Sequence, residues 1–263
     1  MPQAPAETSS PATEASIDDL RVPPGRRRRL YGWNAAIALS TAIVVACALA
    51  LGIGWIASRR SHTVTYSVRA PLTKVSLTVS SGNAVIVGSS SSTLQVKRTE
   101  AYAFGRSAHE SRSLAHGVLT IVSGCPKIVL GSCAESYELE VPQSVAVQVK
   151  TKDGDVRMTG FSGDTTISTQ AGNVDVEAYC GFSLSARSRR GSLHAATACA
   201  PQRLDLATGS GNAAALVPPG RYRIGATSGI GREHVGGVVG DERAAFRIDV
   251  HSGSGSVEVE GGL

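Results

Sequence analysis

Three residues of complementary charge recur at nearly constant spacing: Arg157, Asp175 and His194 lie 18 and 19 residues apart. A carboxylate beside an imidazole and a guanidinium can bind a cation, orient a proton transfer, or form a solvated ion ladder. Glu177 stands two residues from Asp175. The chain has no G-x-S-x-G elbow, no P-loop and no paired-carboxylate motif, so Asp175, Glu177 and His194 are the one set that a carbohydrate-active enzyme could use. A solvated face of mixed charge is the simpler reading. His194 and His234 are expected two repeats apart, about 9.6 Å by strand spacing, too far to share one metal with bonds of about 2 Å. Gly154-Asp155 and Gly163-Asp164 lack the nine-residue glycine/aspartate repeat of calcium-binding arrays. Arg187, Arg189 and Arg190 cluster near one turn, where a solvated turn or an anionic polymer would each suit them. No catalytic residue, metal or cofactor is expected.

Cysteine supplies the other candidate chemistry. Cys125 and Cys133 lie eight apart in a Gly/Pro-containing loop, and Cys180 and Cys199 each follow a repeat glycine by eight residues. Stacking would bring the second pair to one phase of adjacent strands, whose spacing of about 4.8 Å suits a disulfide. The expected bridges are Cys125–Cys133 and Cys180–Cys199, the alternative being reduced, buried thiols. Without a CxxC or a nearby His pair, zinc is disfavoured. Two disulfides require an oxidising compartment.

The elements that position these residues form a repeat. Gly154, Gly172, Gly191, Gly211, Gly231 and Gly255 follow one another at steps of 18, 19, 20, 20 and 24 residues, and Gly82 begins the pattern earlier. Seven before each of the six comes Val147, Thr165, Leu184, Leu204, Ile224 or Ile248, and five before comes Val149, Ile167, Ala186, Leu206, Ala226 or Val250. Three before is always a hydroxyl: Thr151, Thr169, Ser188, Thr208, Ser228 or Ser252. These offsets differ by two, so they share the inward face of one strand. Two after each glycine the residue is apolar, apart from Glu233. The turns pair a glycine free to take positive φ with a short polar residue able to bond local backbone. The prediction is an all-β domain, a β-solenoid or β-helix with rungs of roughly 18–20 residues, the alternative being a β-sandwich. The inward hydroxyls need partners in the turns or in neighbouring rungs.

Taken in order, residues 1–29 read as a disordered, basic cytoplasmic tail, since Met1 to Gly25 has no apolar periodicity. Leu30 to Ser58 carries no charge and exceeds the about 20 residues that cross a bilayer, with Trp33 and Trp55 near its ends. Residues 30–58 are therefore expected to be a transmembrane helix. Arg21 and Arg26 to Arg29 precede it, against Arg59, Arg60, Arg69 and Lys74 after it, which places the N-terminus inside. Ala48-Leu49-Ala50 resembles a signal-peptidase site, and Val44-Val45-Ala46-Cys47 a lipoprotein box, but the apolar run continues beyond both. Residues 59–74 read as a linker and 75–263 as the extracytoplasmic domain. Strand-like runs at Leu94 to Lys97, Val118 to Val122 and Tyr137 to Val141 interrupt the repeat as an end cap, with Gly105 to His116 as a mobile loop between two of them. The net charge of +5 divides into +3 for residues 1–60 and +2 for the rest. The large domain is nearly balanced and lacks nucleic-acid motifs, so no nucleic-acid partner is expected.

The turns Gly154-Asp155-Val156, Gly172-Asn173-Val174 and Gly255-Ser256-Val257, with Val141-Pro142, Val217-Pro218-Pro219-Gly220 ahead of Tyr222 and the apolar anchor, resemble the bacterial "putative adhesin" family of membrane-anchored β-strand-repeat proteins. The resemblance covers about Val75 to Gly261 and implies a fold more than an activity. Glu233 and the stretch Gly105 to His116 depart from the pattern. The leading expectation is a non-enzymatic, single-pass cell-envelope protein that presents its repeat to a surface polymer or protein. The alternatives are a carbohydrate-active β-helix enzyme and a membrane sensor with an extracytoplasmic ligand-binding domain.

Overall fold

The computed structural model describes residues 25–103, 107–126 and 132–262, with side chains from residue 35 onward. The expected disorder of Met1 to Gly25 falls almost wholly outside them. Helix α1 (Gly25–Ser58) begins before the arginine cluster, so the backbone of Arg26 to Arg29 is helical rather than part of a tail. Its segment Ala35–Ser58 is long and apolar enough to cross a membrane. Leu39, Val44, Leu51 and Ile56 are exposed along it, as suits a helix with no polar face.

The chain from Trp55 forms a separate compact unit made of strands. First come β1 (Arg60–Val68), β2 (Lys74–Ser81), β3 (Ala84–Ser89), β4 (Leu94–Ala103), β5 (His109–Ala115), β6 (Val118–Gly124) and β7 (Ser132–Pro142). The repeat follows as pairs: β8 (Ala146–Asp153) with β9 (Val156–Thr159), β10 (Thr165–Ala171) with β11 (Val174–Tyr179), and β12 (Ser183–Arg190) with β13 (Leu193–Thr197). Next are β14 (Arg203–Ser210) with β15 (Ala213–Val217), β16 (Arg221–Ser228) with β17 (Glu233–Gly236), the short β18 (Val239–Gly240), and β19 (Arg247–Ser254) with β20 (Val257–Gly261).

The strands form two ten-stranded sheets around one apolar core, a two-layer arrangement that the sandwich alternative shares at this level. One sheet runs β1-β4-β7-β3-β9-β11-β13-β15-β20-β17; the other runs β18-β16-β19-β14-β12-β10-β8-β2-β6-β5. Each repeat pair places one strand in each sheet, and neighbouring pairs are parallel and in register. Val147, Thr165, Leu184, Leu204, Ile248 and Ile224 form one such row, and Val149, Ile167, Ala186, Leu206, Val250 and Ala226 the next. Five members of each row are buried, as the period-2 pattern requires; Ile224 and Ala226 in the last strand are only half-buried.

Chain order and spatial order part company at that end. β19 and β20 lie directly on β14 and β15, and β16 and β17 lie outside them. His194, Ala214, Glu258 and His234 therefore form a row, which puts the two histidines three strands apart rather than two.

The N-terminal part also differs from the expectation. Residues 60–68 are not a linker but β1, antiparallel to β4, with Val64, Tyr66 and Val68 in alternation. His109–Ala115, expected as part of a loop, is β5, antiparallel to β6 at a sheet edge. Residues 105 and 106 of that expected loop lie outside the described residues. A polar, mostly exposed edge strand fits β5's sequence, since polar side chains discourage further pairing.

Candidate binding faces

The turns show what the repeat spends its polar groups on. Gly82, Gly154, Gly172, Gly191, Gly211, Gly231 and Gly255 all have positive φ, between 132° and 157°. At Gly191 a Cβ would overlap the carbonyl oxygen of Gly172, so stacking distance as well as φ demands glycine there. The residue after the glycine bonds the neighbouring turn rather than its own backbone. Asn83 Oδ1 accepts from Asp155 N at 3.0 Å, Asp155 Oδ1 from Asn173 N at 2.7 Å, and Asn173 Oδ1 from Ser192 N at 2.9 Å. The ladder continues from Asn212 N to Ser192 Oγ at 3.2 Å and from Ser256 N to Asn212 Oδ1 at 2.9 Å. The hydroxyl column makes a second ladder: Ser188, Thr208, Ser252 and Ser228 each donate to the glycine carbonyl of the adjacent turn, at 2.8–3.0 Å. Thr151 instead donates to the Gly154 carbonyl of its own turn at 3.3 Å, and the buried Thr169 hydroxyl has no partner among the described residues.

Arg157, Asp175 and His194 are neighbours on the outward face of β9, β11 and β13. Asp175 Oδ2 lies 3.4 Å from Arg157 Nε, and Asp175 Oδ1 lies 3.0 Å from His194 Nδ1. These exposed groups flank an open groove of about 470 Å³ along the turn ladder. The carboxylate is occupied on both oxygens by its own neighbours, which makes an ion ladder. Glu177, also exposed, pairs with Thr159 across the sheet and has no ion pair among the described residues.

The opposite sheet carries a pattern that the sequence reading missed. Four residues before each repeat glycine the outward row reads Lys150, Ser168, Arg187, Ala207, His251 and Thr227 in spatial order. Two before, Lys152, Gln170, Arg189, Gly209, Gly253 and Gly229 hold the corresponding places in the repeat. Lys150, Lys152, Arg187, Arg189 and His251 are exposed. Of the earlier arginine cluster, Arg187 pairs with Asp205 at 3.1 Å, Arg189 points out from this face, and Arg190 ends the strand. On the first sheet the corresponding outward rows hold four acids, Asp175, Glu177, Glu258 and Glu260, against Arg157 and the histidines His194 and His234. A domain nearly neutral in total is thus basic on one face and acidic on the other. The signal was present as two sequence columns but was averaged away in the net charge.

A second missed cluster lies in the N-terminal part, beneath β5. Arg98 contacts Glu135 at 2.6 Å, Glu100 at 3.0 Å and Glu110 at 3.1 Å, and Arg112 reaches Glu110 at 2.8 Å. The Glu135 side chain is fully buried, and Glu110 and Glu100 are nearly so. Tyr66 and Tyr137 donate to the two Glu110 oxygens at 3.0 and 3.2 Å, and Ser123 donates to Glu135. Burial pushes the Glu135 carboxyl above the ordinary glutamate value; bonding to Arg98 opposes this, and Glu110 and Glu100 add to it. Burial works against the Arg98 charge, but hydrogen bonding and attraction to Glu135 outweigh it. Burial first, then the Glu110 charge, raises the Tyr66 hydroxyl as well. Every acid here is held by protein donors, so the cluster is a polar end-core that ties β1, β4, β5, β6 and β7 together.

Cys125–Cys133 and Cys180–Cys199 are disulfides, with Cα separations of 5.8 and 4.7 Å. The first joins the segment after β6 to β7, and the second joins the ends of β11 and β13. Cys47 is a free cysteine on α1. No group of three metal-ligating side chains occurs among the described residues.

No family model matches the chain, and no curated protein matches it. Among solved structures, the domain is similar to a "putative cell adhesion protein" from Clostridium sporogenes: 12% identity, TM-score 0.48, covering 77% of this chain and all of that one. It is also similar to a "putative adhesin" from Bacteroides fragilis, at 10% identity and TM-score 0.38, covering 75% of this chain and 97% of that one. A "putative adhesin" from Parabacteroides distasonis, at 9% identity and TM-score 0.29, covers 76% and 97%.

Proposed function

We propose that the chain is a non-enzymatic envelope protein in which α1 anchors a β-solenoid, residues 60–262, outside the membrane to bind a surface polymer or protein. The solenoid reading rests on the alternation of successive strands between two sheets, with parallel, in-register neighbours and stacked glycine turns. One observation carries the binding role: turn polar groups and most inward hydroxyls are consumed by the stack, while Lys150, Lys152, Arg189 and Glu177 stand exposed in the outward columns without an ion pair among the described residues. Extended repeat surfaces of this kind suit partners that are themselves extended. The enzyme alternative has Asp175, Glu177 and His194 to draw on, and Asp175 is committed to Arg157 and His194.

The test is retention of solubilised envelope components and purified envelope polymers by the full chain in neutral detergent. Saturable retention of one component supports the reading. Cleavage of a retained polymer that disappears in Asp175→Ala and His194→Ala would replace it with the enzyme.

A further inference from the structure

The charge rows of the second sheet extend this reading and rest on it. We propose that the outward face of β8, β10, β12, β14 and β19 binds a linear anionic polymer, a chain whose phosphates or carboxylates recur at a short, regular interval.

The rows run across the strands, along the direction of stacking. Lys150 and Arg187 are two strands apart, about 9.6 Å, and His251, two strands beyond Arg187, continues the row with an imidazole donor. Such spacing meets every second charge of a chain with a repeat near 5 Å. Beside the first row, Lys152 and Arg189 stand on the same two strands as Lys150 and Arg187. Among the described residues no ion pair or side-chain hydrogen bond engages Lys150, Lys152 or Arg189, so their charges are available to a ligand. Between the cations, Ser168 and Gln170 offer neutral donors to a polymer backbone. Ala207, Gly209 and Gly253 form the floor of a shallow trough of about 550 Å³ rimmed by Arg187, Arg189 and His251. A Cβ on Gly209 would lie 2.6 Å from the Arg189 carbonyl oxygen, so the close strand approach that requires glycine also keeps this floor flat.

Charge complementarity selects the partner. The opposite sheet, with Glu177, Glu258 and Glu260 outward, repels the same polymer and fixes which side engages it. The strip lacks exposed aromatic or large aliphatic side chains in these columns, which a bilayer-inserting surface would need.

The test uses the full chain in nanodiscs of zwitterionic lipid. Equilibrium binding is measured to end-labelled poly(glycerol phosphate) and to polygalacturonate, which separate phosphate from carboxylate sources, with dextran as the uncharged comparison. The proposal expects saturable binding to at least one polyanion, weakened at least tenfold between 0.05 and 0.5 M salt. Lys152→Gln/Arg189→Gln should weaken it at least tenfold, and the charge-matched Arg232→Gln/Arg243→Gln, on end loops, by less than twofold. Circular dichroism confirms that each variant is folded. Equal loss in both pairs, or none in the first, would overturn the assignment to this face. Binding to phosphatidylglycerol vesicles with neither polymer bound would overturn the polymer. Retention of a neutral polymer or a protein alone would overturn this inference and leave the binding-module reading standing; retention of nothing removes both.

Discussion

Arg98 and Glu135 touch each other, yet their removal should have very different consequences. Among the described residues Arg98 is the one guanidinium within reach of Glu100, Glu110 and Glu135 together, and its side chain is 13% exposed. Arg98→Met preserves the bulk of the stem but leaves three buried carboxylates facing only the half-exposed Arg112. Breaking a buried ion pair by removing one partner costs about 3–5 kcal/mol. With a urea m-value of about 2 kcal/mol/M, the unfolding midpoint should fall by about 1.5–2.5 M. Glu135→Gln removes the acid that burial penalises most visibly and leaves two carboxylates with two arginines. Its amide oxygen can still accept from Arg98 while its NH2 donates to the Ser123 hydroxyl, so the expected cost at neutral pH is below about 1 kcal/mol. The pH dependence carries the sign. A carboxyl whose folded pKa is raised binds its proton more tightly when folded, so its contribution becomes more favourable as pH falls through that value and levels off below the ordinary 4.5. Wild type should therefore gain on Glu135→Gln as the pH is lowered over this interval. The assay is urea unfolding of the oxidised chain from residue 59 onward, followed by circular dichroism between pH 4.5 and 8. A midpoint loss under 0.5 M for Arg98→Met, or equal losses for both variants, would refute the argument.

Other outcomes follow from the turns, bridges and edge. Gly191→Ala, at φ 145° and against the Gly172 carbonyl, should cost about 3 kcal/mol or more, whereas Asn173→Ala, which frees only the exposed Ser192 N–H, should cost about 1 kcal/mol; paired urea melts compare them. Removing the Cys180–Cys199 bridge, with its separation of 19 residues, should cost about 3 kcal/mol by loop entropy, measured on a Ser/Ser variant. Glu233 Oε1 accepts from Ser228 N at 2.6 Å in the outermost strands. Glu233→Val would release that donor and leave an apolar edge, so sedimentation should detect concentration-dependent self-association absent from wild type.

The inward columns were legible because seven, five and three residues before each glycine repeat with one period, and those rows are the buried ones. The Asn83–Asp155–Asn173 ladder was legible only as turn chemistry, since spacing does not tell a local bond from one to the next turn. The inversion of the last two pairs was not legible: Ile224, Ala226, Ser228 and Gly231 carry the same signature as Ile248, Val250, Ser252 and Gly255. Glu233, the one charge in its column, was the clue that its pair ends the stack. The buried ion cluster had a fainter sign. Arg98 and Glu100 continue the parity of buried Leu94 and Val96, as Glu135 and Tyr137 precede Leu139, but their meeting depends on antiparallel pairing that no period announces. The basic columns were readable but were pooled with acids that lie mostly on the other sheet, Asp205 and Asp249 excepted.

The inverted order of the final pairs also governs how the domain can be completed when the chain emerges N-terminus first. β16 and β17 arrive before β19 and β20, yet their native sheet partners are those later strands. Until Arg247–Gly261 is available, the edges of β14 and β15 stay open and the preceding pair has no native place to dock. This later segment is the wedge between the two pairs, so loss of those fifteen residues would strand two layers rather than one. Assembly of this end is therefore an all-or-none event, in contrast to the one-layer-at-a-time growth available to β8 through β15.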